Sequence, residues 1–148
     1  MRSRRGFSLT ELLIVMGVIA ALSAMAIPNL ISAVQRGRQK RTVGELRAIS
    51  SALGAYVTDN DNYPIETTPI PVSQLDTVLT PTFINHLNGV DGWYRELTYE
   101  SDGTDYTLTS LGRDGVSSGP ATGAITSFDH DILMSTGSFV TWPDGVQN

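Results

Sequence analysis

The stretch Phe7 to Ile27, FSLTELLIVMGVIAALSAMAI, contains one ionisable side chain, Glu11. About 20 apolar residues in a helix cross the roughly 30 Å hydrocarbon core of a bilayer. Arg2, Arg4 and Arg5 precede the stretch, so the N-terminal side stays cytoplasmic and everything after Pro28 lies across the membrane. A secretory signal peptide has a similar basic start, and Ser23 to Ala26 (SAMA) offers small residues for a cut. Its apolar core, however, runs to about 7–15 residues and carries no carboxylate. A plain signal anchor bearing an unrelated domain is the other ordinary reading.

Glu11 separates these readings. An ionised carboxylate inside an apolar helix costs about 2.5–3.5 kcal/mol even on the lenient insertion scale, so it needs a partner. If the chain is cut after Gly6, Phe7 gains a free α-amine, protonated near neutral pH. Amine and carboxylate can then pair within one chain or between staggered neighbours. The bland alternative is that Glu11 sits at headgroup level.

The run Arg5-Gly6-Phe7-Ser8-Leu9-Thr10-Glu11-Leu12-Leu13, continued through Ala26-Ile27-Pro28-Asn29, resembles the prepilin signature of type IV pilins and type II secretion pseudopilins. The resemblance implies that a prepilin peptidase cuts between Gly6 and Phe7 and methylates the new Phe7 amine. Glu11 would then match the family's assembly carboxylate. The implied division is a leader over 1–6, a transmembrane and assembly half of the helix over 7–29, and the amphipathic half plus a globular head over 30–148. The implied fold is α+β and pilin-like, a long N-terminal helix packed on a small antiparallel sheet.

Beyond Pro28 the pattern turns amphipathic. Leu30, Ile31 and Val34 continue the apolar face, and Arg36, Arg38, Lys40 and Arg41 follow where the chain leaves the membrane. These four form a solvated turn, or they meet lipid headgroups or the acidic heads of neighbours. Leu46, Ile49, Leu53 and Tyr56 recur at helical spacing and predict a stripe packed on the head. One helix from Phe7 to Val57 follows, about 75 Å long at about 1.5 Å per residue. Pro28 is expected to kink or loosen it, and Gly17 is a second weak point.

From Thr42 onward three basic residues face fourteen acidic ones. The head is therefore acidic and lacks the basic footprint of a nucleic-acid binder. There is no cysteine, so disulfides cannot brace an exported head, and an ion or an oligomer is a natural substitute. Asp59-Asn60-Asp61-Asn62-Tyr63-Pro64 ends the helix. Pro64, Pro69 and Pro71 predict a loop, and Ser73 predicts the cap of a short helix to Leu79. Leu97 and Tyr99, then Tyr106 and Leu108, alternate with polar residues around Asp102-Gly103, a hairpin pattern. Phe139 to Trp142 is a further strand candidate.

Ser110-Leu111-Gly112-Arg113-Asp114-Gly115 opens a loop rich in Gly and Ser that closes at Asp129-His130-Asp131-Ile132. Acidic clusters at both ends of such a loop suit a hard cation, which takes 6–8 oxygens, although acidic loops are more often simply solvated. Together with Asp91-Gly92-Trp93-Tyr94, this half resembles the major pseudopilin of type II secretion. That family has an Asp-Pro-Trp-Gly motif, a Ser-Leu-Gly-x-Asp-Gly motif and a closing Asp-Ile around calcium. The resemblance implies calcium ligands at Asp114, Asp131 and the Leu111 carbonyl, with Asp129 as an extra candidate. Here Gly92 stands for the motif's Pro and Tyr94 for its last Gly, and the loop is longer.

His86 and His130 have no identifiable triad partners, and no phosphate-binding glycine motif with a lysine is present. An enzyme is not expected. The expected function is a filament subunit of a type II secretion pseudopilus. It would sit as a single-pass protein in the inner membrane with its head in the periplasm or outside, and would polymerise through Phe7–Leu53 helix packing. Its implied partners are copies of itself, prepilin peptidase, other pseudopilins or minor pilins, and an inner-membrane assembly platform. The alternatives are a type IV pilin for adhesion, motility or DNA uptake, and a membrane-anchored binding or hydrolytic domain.

Overall fold

A computed structural model describes residues 6–119 and 121–145. Helix α1 runs from Leu9 to Asn60. Pro28 lies inside it without ending it. There the Asn29 side-chain amide donates to the Met25 carbonyl at 3.2 Å, an added bond next to the turn where proline lacks a donor. The chain divides into two compact units, one up to Gln35 and one from Arg36 onward.

In the first unit nothing covers the apolar side chains: Leu9, Leu12, Leu13, Ile14, Met16, Ile19, Leu22 and Met25 are all exposed. The most apolar window of α1 has a mean hydropathy of 2.2 and is wholly unburied. Such a surface is unsuited to water and suited to lipid or to other helices.

The second unit starts from the other half of α1. Gln39, Thr42, Val43, Leu46, Ile49, Ala52 and Leu53 are buried, one stripe at the 3- and 4-residue spacing that aligns side chains on a helix face. The predicted stripe Leu46, Ile49, Leu53 is fully enclosed, and Tyr56 packs at its end. The helix stops where Asp61 takes a left-handed φ of 63° and donates its N–H to the Val57 carbonyl at 2.9 Å. Short polar residues tolerate this conformation best after glycine.

The sheet has six strands: β1 (Glu66–Pro71), β2 (Thr98–Ser101), β3 (Tyr106–Ser110), β4 (Gly123–Ile125), β5 (Ile132–Ser135) and β6 (Ser138–Pro143). Their order is β1-β2-β3-β5-β6-β4. All neighbours are antiparallel except β4 and β6. The β2–β3 hairpin falls where expected, with Ser101 opposite Tyr106. Its turn is longer than a two-residue one: Asp102 Oδ1 accepts the N–H groups of Thr104 and Asp105, and Gly103 takes the positive φ. Inward residues alternate along β3 and meet Leu97, Tyr99, Ile132, Met134 and Phe139 in one core with the α1 stripe.

Two expectations are corrected. Residues 66–71 form β1 rather than a loop. The prolines are tolerated because β1 is an edge strand, paired only with β2 across an irregular register, and an edge leaves some N–H positions unused. Ser73 does not cap a helix. A 3₁₀ turn, Val72–Leu75, leads into α2 (Asp76–Leu79) with no side-chain cap at either start. The expected α+β architecture, a long N-terminal helix with a small and mostly antiparallel sheet, is the one formed; β4 alone runs parallel to its neighbour β6.

Candidate functional site

Two regions carry the residues singled out in the sequence. The first is the entry to α1. Leader residues 1–5 lie outside the described residues. Gly6 has open space around it, with nothing within 4 Å of a notional Cβ, so the fold itself does not demand glycine there. Phe7 is 85% exposed. Ser8 precedes the helix: its Oγ accepts the Thr10 N–H at 3.3 Å, and its own N–H donates to Glu11 Oε2 at 2.8 Å. Ser-x-x-Glu at a helix start has capping-box spacing: Glu11 closes it on the Ser8 N–H, while the Ser8 hydroxyl takes the N–H of Thr10 instead of Glu11. Glu11 therefore has a local partner even in the uncut chain. Ser8-Leu9-Thr10-Glu11 displays this local partner openly in the sequence, beside the Phe7 amine and the headgroup level named above. Among the described residues, Glu11 Oε1 takes no hydrogen bond.

The second region is the segment between β3 and β5, a loop interrupted by the short strand β4. It is organised by Asp91, which is fully buried. Asp91 Oδ1 accepts the N–H groups of Trp93 and Arg95 at 2.8 and 2.9 Å, and Oδ2 accepts the Ser110 hydroxyl at 2.9 Å. A buried carboxylate is costly unless bonded in this way. Asp91 thereby fixes the 91–95 turn to the last residue of β3. The same turn rests on α1: the Gly92 N–H donates to Thr42 Oγ1 at 2.9 Å, and a Cβ at Gly92 would collide with the Arg38 backbone. Glycine at 92 is thus required by contact with the helix. Tyr94 takes a φ of 63°, a conformation glycine adopts freely and a tyrosine adopts at a cost of about 1–3 kcal/mol.

The four expected calcium-site residues differ in their surroundings. The Asp131 carboxylate is buried and accepts the Ser118 N–H at 3.0 Å with the hydroxyls of Ser117 and Ser118 at 3.3 Å. Asp114 Oδ1 accepts the Val116 N–H at 3.0 Å. The Leu111 carbonyl accepts the Gly115 N–H at 3.3 Å. Asp129 is held by Arg113 in a two-pronged pair, Nε to Oδ1 at 2.7 Å and Nη2 to Oδ2 at 2.8 Å. The Arg113 guanidinium holds the Asp129 carboxyl below the usual carboxylate range. Arg95 braces the loop by donating to the Arg113 carbonyl at 2.9 Å. Among the described residues no three acidic or histidine side chains gather as a metal cluster. Two carboxylates, a carbonyl and two hydroxyls share one glycine-containing loop, and all are oxygen donors of the type calcium takes.

An exposed apolar helix with a carboxylate-capped start, continued as the spine of an α+β head, defines the class of pilin-like subunits. Comparison with known proteins narrows this. The family described as "Type II secretion system (T2SS), protein G" matches residues 29–127, and "Prokaryotic N-terminal methylation motif" matches residues 1–27. The type II secretion system core protein G of Vibrio cholerae is 32% identical over 84% of this chain and 90% of its own length. That of Klebsiella michiganensis is 32% identical over 77% and 79%, and that of Escherichia coli 28% over 79% and 82%. No solved structure matches significantly. The chain belongs to the protein G family of type II secretion, and is a pseudopilin subunit with a prepilin-type N-terminus. These relatives are named as components of secretion machinery, not as enzymes.

Proposed function

We propose that the chain is matured by prepilin peptidase between Gly6 and Phe7, methylated on the Phe7 amine, and polymerised into a pseudopilus through its exposed helix. The observation that carries this reading is the capped, uncovered apolar half of α1. Its surface is far too large to leave in water, and a filament of packed helices covers it. The open space around Gly6 supports a role for glycine outside the fold, in the peptidase's active site. A cut after Gly6 spares the bond from the Ser8 N–H to Glu11 Oε2 and creates a cation at Phe7, with which Oε1 can pair. The head then lies on the periplasmic side, where copies of the chain, other pseudopilins or minor pilins, and an inner-membrane assembly platform are its partners.

Two substitutions test the assembly role. Gln keeps the capping acceptor of Glu11 but not the charge, whereas Ala removes both. If charge pairing with the Phe7 amine drives assembly, Glu11→Gln and Glu11→Ala both abolish filaments on electron micrographs of induced cells. Filaments from Glu11→Gln at normal yield refute the pairing and leave only the cap. A bulky residue at Gly6 should accumulate full-length precursor, and mature protein starting at Phe7 in that variant refutes the cut.

Calcium is the ion we propose for the β3–β5 loop, held by Asp114, Asp131 and the Leu111 carbonyl, with Asp129 kept out while Arg113 grips it. A bound ion would tie the two ends of the loop together. At about 100 times its Kd it adds roughly 2.7 kcal/mol, a rise of several degrees in the thermal midpoint. The full chain in detergent should show that rise over chelator, and Asp131→Ala should abolish it. Equal midpoints with and without calcium refute the site and leave the filament reading intact.

A further inference from the structure

Tyr94 holds a left-handed φ of 63° while the residue stays 73% exposed. A bulky side chain in that conformation is a genuine outlier, and packing does not explain it, because the ring is turned outward. The backbone beneath is fastened on both sides, by Asp91 within the turn and by Gly92 on Thr42 and Arg38 of α1. The ring is therefore delivered to a fixed level of the helix. At that level the Arg41 guanidinium carbon stands 5.2 Å from the ring centroid.

The neighbouring cations are Arg36, Arg38, Lys40 and Arg41, all exposed. At about 100° per residue they fall at about 0°, 200°, 40° and 140° around the helix. The buried Gln39, Thr42 and Val43 take the remaining arc, so the cations fill the whole arc that the head leaves open. Among the described residues Arg36, Arg38 and Lys40 make no ion pair, and Arg41 has only a long contact of 3.9 Å to Glu45. The acidic neighbours are few: Glu45, which also accepts from Asn88, and Asp144, which shares a small cleft with Arg36 and Gln39. One protein partner would read one face of a helix. A collar over the full open arc matches a surface that surrounds the helix. Position agrees: Leu9 to Val34 rise about 39 Å as helix, close to the roughly 40–45 Å of a bilayer with its headgroups. The collar starts two residues later.

We propose that the collar Arg36, Arg38, Lys40 and Arg41, with the Tyr94 ring, is a docking surface for anionic lipid headgroups, on which the head of the membrane-resident subunit rests. The cations meet lipid phosphates, and the amphipathic ring sits at the interface, as tyrosines do there. The proposal rests on the reading that Phe7–Ile27 spans a membrane.

Lys40 is the only lysine, which makes it a single-site reporter. The full chain is placed one copy per nanodisc, in phosphatidylcholine alone or with phosphatidylglycerol added. Acylation of Lys40 and iodination of Tyr94 are then followed by mass spectrometry. Both should slow several-fold in the anionic discs, and salt should restore the Lys40 rate. Tyr94→Gly should keep or raise the thermal midpoint, since it relieves the backbone, yet return Lys40 towards its rate in zwitterionic discs. Equal rates in the two lipids overturn the proposal, as does Lys40 protection unchanged by Tyr94→Gly. Protection that needs two copies per disc, whatever the lipid, assigns the surface to a second chain and also overturns it. A chain that enters neither kind of disc refutes the membrane-spanning reading itself, a result distinct from equal reactivity in discs that are loaded.

Discussion

At Gly92 one methyl group decides whether the head can sit on its helix. A Cβ there would strike the Arg38 backbone, and overpacking a fixed contact costs about 1–3 kcal/mol. Gly92→Ala should therefore lower the thermal midpoint of the full chain in detergent by several degrees, and an unchanged midpoint would mean the turn can lift off α1 freely. Tyr99 makes a second residue-scale prediction. Its hydroxyl donates to the Pro64 carbonyl at 2.7 Å, and burial pushes its pKa up to about 12. The folded state thus favours the protonated phenol. The stability this gives is fully present below the ordinary value of about 10 and is lost as pH rises from there through about 12. Tyr99→Phe should cost about 1 kcal/mol at neutral pH for the lost bond and flatten the decline in midpoint across that alkaline range. An equally steep decline in the variant would place the titrating group elsewhere. Of these residues the sequence displayed Gly92 and Tyr94 only as departures from a motif. The reason for each is a contact or a dihedral angle, and neither is written in local spacing. Ser8 differs, because its capping-box spacing with Glu11 was legible and merely overshadowed by the more conspicuous carboxylate.

The two halves of α1 behave as different elements although they share one helix. Leu53 is fully enclosed by the head, whereas Leu22 is open to its surroundings. Leu53→Ala should cost about 2–5 kcal/mol, the usual range for a buried leucine, and Leu22→Ala should leave the melting of the head unchanged in detergent. Circular dichroism of the two variants checks both, and equal losses would refute the division. Periodicity made the stripe readable, since 3.6-residue spacing survives in the sequence wherever one helix face is buried. β2, β3 and β6 were readable for the same reason at a period of two. β1 was hidden by Pro69 and Pro71, which argue against a strand unless its position at an edge is known, and that position depends on topology. β4, only Gly-Ala-Ile, is too short to carry a period, and its parallel pairing with β6 joins segments far apart in sequence.

Among the described residues every buried one lies after Arg36, beginning with Gln39, Thr42 and Val43 on α1. Among the described residues the first unit contributes helix but no buried side chain, so the head is expected to fold without it. A fragment starting at Arg36 should be water-soluble and monomeric by light scattering, with a thermal midpoint within a few degrees of that of the full chain in detergent. Starting at Thr42 instead would remove Gln39, whose amide reaches the Ser127 carbonyl at 3.5 Å, and would open the helix next to the Thr42–Gly92 bond. The shorter fragment should therefore melt lower. If both fragments melt alike, the first turn of the head's helix is dispensable. If the longer one aggregates, the membrane half does more than anchor and assemble, because it must then be shielding part of the head. The expected pattern makes the chain two physical devices in series: a head stable in water, and an apolar helix satisfied only by lipid or by its own kind. A subunit built this way can move from bilayer to filament without refolding its head, since the surface exchanged in that step belongs to the half that carries none of the core.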